Sequence, residues 1–268
     1  MKQRTTLALC LMVLTLILPM HGGAAPPSPS VRYDTNLANL TMPGAFTLIA
    51  RVRDFAPGAW TTVHIHGGPV LVTVLEGELT LRIHGGEQKY QKGGSWVELP
   101  GIEHVHEVGN TGPVMASALG TTLLPDGAQE TTTIDSGGTR PGPTVKYQAT
   151  FERLSIDGAF TEFQRIVDFP PGAWTSVHVH GGPRFVLVLG GEMTLRINGT
   201  EQVYKAGQSF LEPPGVVHSV GNAGVMPSYQ VSLTLLPKGA PEMTNLQGGG
   251  APLPSSDQPF FIRRLGDS

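Results

Sequence analysis

An internal duplication constrains the fold of this chain more than any other feature of its sequence. Residues 54–69 (DFAPGAWTTVHIHGGP) recur at 168–183 (DFPPGAWTSVHVHGGP), with 13 of 16 positions identical at an offset of 114. The same offset pairs Gly77 with Gly191, and it falls to 112 after His104, where the first copy carries two extra residues. Each copy spans about 100 residues, which is enough chain for one small domain. The sequence therefore predicts two similar domains in tandem.

The duplication also sets the expected domain boundaries. We predict a lead-in at 26–42, a first domain at 43–134, a linker at 135–144 and a second domain at 145–246. Residues 247–268 are rich in Gly, Pro and Ser, a composition typical of loops, and are predicted to form a flexible C-terminal tail.

The first 25 residues have the layout of a secretory signal peptide. Two basic residues precede the apolar run Leu7–Leu18, and small residues follow at Gly22–Ala25. The run is too short to span a bilayer, which takes about 20 residues. We therefore expect cleavage after residues 1–25, export to the periplasm or the extracellular space, and no membrane contact afterwards; a retained signal anchor is the alternative. Cleavage would also remove Cys10, the single cysteine, so that no disulfide could form.

Within each copy the apolar residues recur with a period of two. Leu79, Leu81 and Ile83 alternate with polar residues, and the Asn198-Gly199 dipeptide of the second copy is typical of a β-hairpin. Short strands separated by glycine and proline indicate a sandwich or a small barrel, so the predicted fold class is all-β. A formal net charge of −3 argues against a nucleic-acid partner. We expect a small-molecule ligand or substrate, and assembly into a homo-oligomer stays open.

Six of the nine histidines form repeat-related pairs. The pairs are His64 with His178, His66 with His180, and His104 with His218. A His-x-His spacing on a strand places both imidazoles on one face, and the third histidine follows a Pro-Gly turn on a neighbouring segment. Imidazole nitrogens are suitable ligands for Fe, Mn, Ni, Cu, Co or Zn. The sequence therefore predicts that the histidines of each copy bind a divalent transition metal.

Each copy resembles a cupin, a small β-barrel with two conserved motifs. The positions that fit the first motif are Gly58, His64, His66 and Gly77 in copy one, and Gly172, His178, His180 and Gly191 in copy two. The second motif is complete in copy two as Gly207, Pro213, Gly215, His218 and Asn222. Copy one keeps Gly101 and His104 but has Leu99 at the proline position. The resemblance implies a bicupin, that is, two tandem cupin-type barrels with the double-stranded β-helix or jelly-roll fold.

The chain departs from the cupin pattern at the usual acidic ligand. Val70 in copy one and Arg184 in copy two stand at that position, and neither is an ordinary metal ligand. Similarity to cupins that lost this glutamate implies that three histidines can still hold a metal in an oxygenase. Arg184 is expected either to clamp a substrate carboxylate inside the second cavity or to reach solvent. If it points inward, its charge repels a cation, and copy one is then expected to hold the tighter metal ion.

Several further side chains are candidate functional residues. Glu98 and Glu212 precede the third histidine in both copies, where they can replace the missing ligand, orient a histidine, contact substrate or simply face solvent. Glu98 and His106, which the two-residue insertion supplies, are the candidates for catalytic proton transfer; His106 is also a candidate fourth ligand. Trp60 and Trp174 are expected to share the ligand face, where they either contact substrate or plug the barrel.

These features predict a secreted, metal-dependent bicupin enzyme. The leading hypothesis is an oxygenase, such as a dioxygenase, that acts on a small enolisable or phenolic compound. A non-catalytic ligand-binding or storage cupin is one alternative, and a metal-dependent decarboxylase or isomerase is another. The fold alone does not decide among them, because one fold hosts many functions.

Overall fold

The structure, a computed structural model, describes residues 26–136 and 138–246. The predicted signal peptide at 1–25 and the predicted tail at 247–268 lie outside the described residues, as does Gly137 in the predicted linker. Strands account for most of the regular structure, which confirms the all-β fold class. In the described part of the chain, no helix is long and apolar enough to cross a membrane.

Within the described residues, each half of the chain contributes ten strands. The first half forms β1 (Ser30–Leu40), β2 (Phe46–Phe55), β3 (Val63–His66), β4 (Val70–Glu76), β5 (Glu78–Ile83), β6 (Gly86–Gln91), β7 (Ser95–Glu98), β8 (His106–Gly109), β9 (Ala116–Pro125) and β10 (Thr131–Asp135). The second half forms β11 (Thr144–Leu154), β12 (Phe160–Phe169), β13 (His178–His180), β14 (Arg184–Gly190), β15 (Glu192–Ile197), β16 (Thr200–Lys205), β17 (Ser209–Glu212), β18 (His218–Gly221), β19 (Ser228–Pro237) and β20 (Met243–Asn245). One 3-10 turn, Ile102–His104, precedes β8.

The strands form four five-stranded antiparallel sheets, two for each barrel. The first barrel combines the sheets β11-β2-β9-β4-β7 and β10-β3-β8-β5-β6. The second combines β1-β12-β19-β14-β17 and β16-β15-β18-β13-β20, which repeats the same order with the equivalent strands. The duplication in sequence is therefore a duplication in topology, and the chain consists of two tandem jelly-roll barrels.

The two barrels exchange their first strands. β1 pairs with β12 of the second barrel, from Ser30 opposite Asp168 to Leu40 opposite Phe160. β11 pairs with β2 of the first barrel in the equivalent register. Each barrel therefore completes one sheet with a strand from the other half of the chain.

Alternation along β2 and β12 produces a core between the barrels and a separate interior in each. Phe46, Leu48 and Phe160 are buried in the core shared by both halves, where the rings of Phe46 and Phe160 stack 5.9 Å apart. The residues in between point to the other face of each strand. Arg53 on β2 and Arg165 on β12 are examples, and they line the barrel interiors. Strand alternation thus separates side chains that hold the barrels together from side chains that face the functional cavities.

Candidate metal centres

The first barrel gathers four buried, potentially ligating side chains in its interior. β3 presents His64 and His66, β7 presents Glu98, and β8 presents His106. One ligand atom of each residue lies within 4.8 Å of those of the other three. The two histidines of β3 share a face because strand side chains alternate. The third imidazole joins them because His106 lies opposite His64 in the pairing of β3 with β8.

Each of these three imidazoles uses its Nδ1 atom for a hydrogen bond to a backbone carbonyl. The bonds join His64 to the carbonyl of Thr62 (2.7 Å), His66 to that of Glu130 (3.1 Å) and His106 to that of His104 (2.7 Å). A carbonyl oxygen can only accept, so each Nδ1 carries the proton and donates it. Each Nε2 is left with a lone pair directed into the cluster, which is the tautomer that a metal ligand requires.

The lone pairs of the cluster lie close enough together that positive charge among them is stabilising. The Nε2 atoms of His64 and His66 are 3.2 Å apart, and His66 Nε2 is 3.0 Å from Glu98 Oε2. His106 Nε2 lies 3.3 Å from the same oxygen and has no hydrogen-bond partner among the described residues. Acceptors that face one another in a buried site repel unless positive charge lies among them. The donor set therefore fits a divalent transition metal ion.

The second barrel repeats this cluster. Its members are His178 and His180 from β13, Glu212 from β17 and His218 from β18. The Nδ1 bonds run to the carbonyls of Ser176 (2.7 Å), Glu242 (2.9 Å) and Val216 (2.8 Å). The Nε2 atoms of His178 and His180 lie 3.1 Å apart, and that of His180 lies 2.9 Å from Glu212 Oε2. Both halves of the chain thus offer three imidazoles and one carboxylate.

The environment of each cluster favours an ionised carboxylate and keeps one histidine neutral. Burial lowers the pKa of His64 to about 4 and that of His178 to about 4, so both imidazoles are neutral at physiological pH. Burial opposes ionisation of Glu98 and Glu212, but contacts with the neighbouring histidines outweigh it and hold the pKa of each carboxyl below its usual range. Neutral imidazoles and an ionised carboxylate are the forms that bind a metal ion. Burial opposes protonation of His106, but its contact with Glu98 outweighs burial and raises the pKa of this imidazole, so a metal ion at the first cluster displaces a proton from His106.

The structure corrects the prediction that His104 is the third imidazole of the first cluster. His104 ends the 3-10 turn, and its ring centroid lies 5.7 Å from that of the exposed His84. His106 occupies the position instead, and it lies opposite His64 just as His218 lies opposite His178. The two extra residues therefore lengthen the loop before β8, whereas the sequence comparison had placed them after the third histidine.

The carboxylate that both copies lack at its usual position is supplied from the adjacent strand. Val70 lies opposite Glu98 in the pairing of β4 with β7, and Arg184 lies opposite Glu212 in the pairing of β14 with β17. Glu98 and His106, the predicted proton-transfer residues, both belong to the first ligand set, and Glu212 belongs to the second. Of the roles considered for the two glutamates, direct ligation fits this geometry best.

A guanidinium group lies in each barrel interior, so the inward charge of Arg184 does not by itself favour the first copy as the tighter metal site. Arg184 points inward, and its Nε donates to Thr234 Oγ1 (2.9 Å) while its Nη2 donates to Glu242 Oε1 (3.0 Å). In the first barrel, Arg53 of β2 lines the cavity from another direction.

The two copies place this arginine on different strands. The second copy has Val167 at the position of Arg53, and the first copy has Val70 at the position of Arg184. The aligned pair Val70 and Arg184 alone does not show that the first barrel carries its arginine on β2 instead.

Trp60 and Trp174 line neither cavity, which corrects their predicted role as substrate contacts. Each indole packs against a glycine of the neighbouring strand, Gly109 or Gly221, on the far side of the barrel wall. Arginine side chains stack on the two rings. The stacked pairs are Trp60 with Arg82 (4.0 Å) and Trp174 with Arg196 (3.7 Å). Because the strand is interrupted between Trp60 and β3, alternation did not predict the direction of the ring.

Sequence reasoning missed Trp96, the tryptophan that lines the first cavity. Its Nε1 donates to Glu98 Oε1 at 2.9 Å, which leaves Oε2 of that carboxylate for the histidines. Phe210 holds the equivalent position in the second barrel and offers no donor. The signal was present, because Trp96 stands two residues before Glu98 and therefore shares its face of β7.

Comparison with known proteins agrees with this architecture. Residues 51–120 and 165–230 match the Cupin domain family, and the chain belongs to that family as a bicupin. A search among curated proteins finds no match. Oxalate decarboxylase from Bacillus subtilis, solved at pH 4.6, is a similar structure, with a TM-score of 0.53, 14% identity, and coverage of 84% of this chain and 79% of that one. AerE from Microcystis aeruginosa has a TM-score of 0.48 and 17% identity, with 79% of this chain and 98% of that chain covered. At these identities the solved structures establish a shared fold only.

Proposed function

We propose that this cupin is a metal-dependent enzyme that acts on a small enolisable or phenolic compound, with oxygenase chemistry as the leading assignment. The observation that carries the proposal is the pair of preformed clusters whose imidazole Nε2 atoms face one another 3.1 and 3.2 Å apart. When bound there, a divalent ion supplies Lewis acidity toward a deprotonated substrate oxygen.

The remaining groups of each interior suit a small anion. The first cavity has a volume of about 140 Å³, and Val70, Val72 and Val108 form an apolar part of its wall. Arg53 stands in this cavity and Arg184 in the second, and both guanidinium groups can orient an enolate, phenolate or carboxylate. Because Glu98 is placed to ligate, a proton from the substrate must leave by another acceptor. Glu130 is the second carboxylate that lines the first cavity, but both of its oxygens accept hydrogen bonds from Arg51, which outweighs burial and lowers the pKa of this carboxyl, so it is a weak base.

A decarboxylase is the second candidate, and the half-buried arginine in each cavity favours it. A guanidinium group binds a substrate carboxylate through paired hydrogen bonds, a feature that an oxygenase of neutral phenols does not need. Oxygen uptake and carbon dioxide release distinguish the two reactions. The metal-loaded protein should be assayed with a panel of phenols, enolisable ketones and small carboxylic acids, with and without oxygen.

Oxygen uptake that requires the substrate and the metal supports the oxygenase, and anaerobic release of carbon dioxide supports the decarboxylase. Tight ligand binding without turnover under either condition would contradict an enzymatic function and favour a binding protein. Elemental analysis before the assay confirms that the tested protein carries metal.

We also propose that the chain is exported and that a signal peptide is removed near Ala25. The basic start, the apolar run and the small residues that follow it support this proposal. Mass spectrometry of material from the culture medium or the periplasm should give a mature chain that starts near Ala25 or Pro26. Recovery of the intact amino terminus from a membrane fraction would contradict it. Light scattering of the same material tests whether the protein forms a homo-oligomer.

A further inference from the structure

The two barrels share one type of ligand cluster but differ in the wall of the cavity beyond it. β19 presents Gln230 and Ser232 to the second interior, where β9 presents Ala118 and Gly120 to the first. The second cavity is also larger, at about 420 Å³ against about 140 Å³. These differences indicate that the second barrel accommodates a larger and more polar molecule than the first.

Gln230 is the unusual group in this wall. Its side chain is 3% exposed, its Nε2 donates to Ser232 Oγ at 3.3 Å, and its Oε1 has no hydrogen-bond partner in the described part of the chain. A buried amide oxygen without a donor costs free energy, so such groups generally have a partner in the functional state. The residue lines the cavity, where a ligand with a hydroxyl group could supply that donor.

The charges of the second cavity favour an anion once a metal is bound. Arg165 and Arg184 line the cavity together with Glu212 and Glu242, so the formal charges of the protein balance there. A divalent ion in the cluster would leave this space positively charged. Arg184 keeps donor capacity, because its Nη1 makes no hydrogen bond to any described residue, and a guanidinium group is well suited to a carboxylate.

We propose that the second cavity binds a small aromatic hydroxycarboxylate, with its carboxylate on Arg184 and its hydroxyl donating to Gln230 Oε1. Arg184 lies opposite Thr234, which is four residues from Gln230 along β19, or about 13 Å at 3.3 Å per residue. The two polar side chains therefore suit a molecule whose carboxylate and hydroxyl are separated by a ring. Phe169 and Val220 add apolar surface to the lining of the same cavity. This inference rests on the proposed function, because the bound metal supplies part of the positive charge.

The test is isothermal titration calorimetry of the metal-loaded protein with 4-hydroxybenzoate and, as the matched probe without the hydroxyl, benzoate. We expect 4-hydroxybenzoate to bind about tenfold more tightly, since one hydrogen bond to a buried acceptor is worth roughly that factor. Gln230→Ala should abolish this preference while benzoate affinity changes little. Arg184→Val should weaken the binding of both acids at least tenfold.

The first barrel supplies tolerated replacements for these variants, because it has alanine and valine at the positions of Gln230 and Arg184. Gln88→Ala, at an exposed position of β6 outside both cavities, is the matched control, and it should leave the hydroxyl preference unchanged. Equal affinity of the wild type for both acids, or an unchanged preference in Gln230→Ala, would overturn the inference. Metal content, measured on every sample, separates this failure from that of the proposed function: absent metal contradicts the proposed function, whereas full metal without the preference contradicts only the hydroxycarboxylate site.

Discussion

At the scale of single residues, the contrast between His104 and His106 is the most discriminating feature of the first cluster. His106 Nε2 points into the cluster and His104 lies outside it. We predict that His106→Ala lowers the metal content of the protein by one equivalent per chain, because the first site loses one of its four ligands. His104→Ala should leave the metal content unchanged, since the hydrogen bond that orients His106 uses the backbone carbonyl of His104. Elemental analysis of both variants measures the difference, and equal loss in the two would refute the assignment.

The residues of the clusters could be predicted only in part. The His-x-His pairs followed from the duplication and from strand alternation, because both are local properties. Whether His104 or His106 is the third ligand depends on whether the two extra residues lie before or after it. The pairing of β3 with β8 places them before His106, because it sets His106 opposite His64. The carboxylate ligand was ambiguous for a similar reason. The proximity of Glu98 to the histidines depends on the register of β4 against β7, which joins residues far apart in the chain.

At the scale of strands, β8 holds His106 in place by close packing against Trp60. A methyl group at Gly109 would lie about 2.0 Å from an indole carbon of Trp60, far inside van der Waals contact. We predict that Gly109→Ala lowers the free energy of unfolding by about 3 kcal/mol, because either the indole or β8 must move. Gly120→Ala is the control, since its added methyl meets Val70 at an ordinary 3.6 Å. Urea denaturation measures both, and a similar small effect of the two variants would contradict this account of the strand.

The strands themselves were largely predictable, but their partners were not. Alternation of apolar residues and the hairpin at Asn198-Gly199 predicted short antiparallel strands, and both residues of that turn have positive φ as such a hairpin requires. The exchange of β1 and β11 between barrels left no comparable local signal. It arises from long-range pairing, so the segment 26–42 looked like a simple lead-in although β1 completes a sheet of the second barrel.

At the scale of the whole molecule, the core between the barrels has an apolar part around Phe46 and Phe160 and a polar part where β12 faces the first barrel. Glu162 and Gln164 of β12 are buried against Thr73 and Thr121 of the first barrel, and Thr121 donates a hydrogen bond to Glu162. The equivalent position of Glu162 in the first copy is Leu48. Burial raises the pKa of Glu162 to about 7, because little in this core compensates a carboxylate charge.

This carboxyl should make the stability of the protein pH-dependent. Its pKa in the folded state lies above the ordinary value of 4.5, so the folded chain keeps a proton that the unfolded chain releases, and stability falls as the pH rises from about 4.5 through 7. Glu162→Gln should remove this loss, with a gain on the order of 3 kcal/mol over wild type at pH 8 and little gain at pH 4. Denaturation at both pH values measures it, with the exposed Glu152→Gln as control. A variant that gains nothing at pH 8 would contradict the raised pKa of Glu162 in the core.

The number of metal ions per chain tests the central claim most directly, because the two barrels carry the same ligand set. Elemental analysis of the purified and metal-loaded protein should give two equivalents of a divalent transition metal per chain. The double variant His66→Ala/His180→Ala should retain close to none while it remains folded by circular dichroism, since each site loses the imidazole that contacts both a histidine and the glutamate. A wild-type chain that binds no metal after loading, or a double variant that still carries two equivalents, would contradict the account.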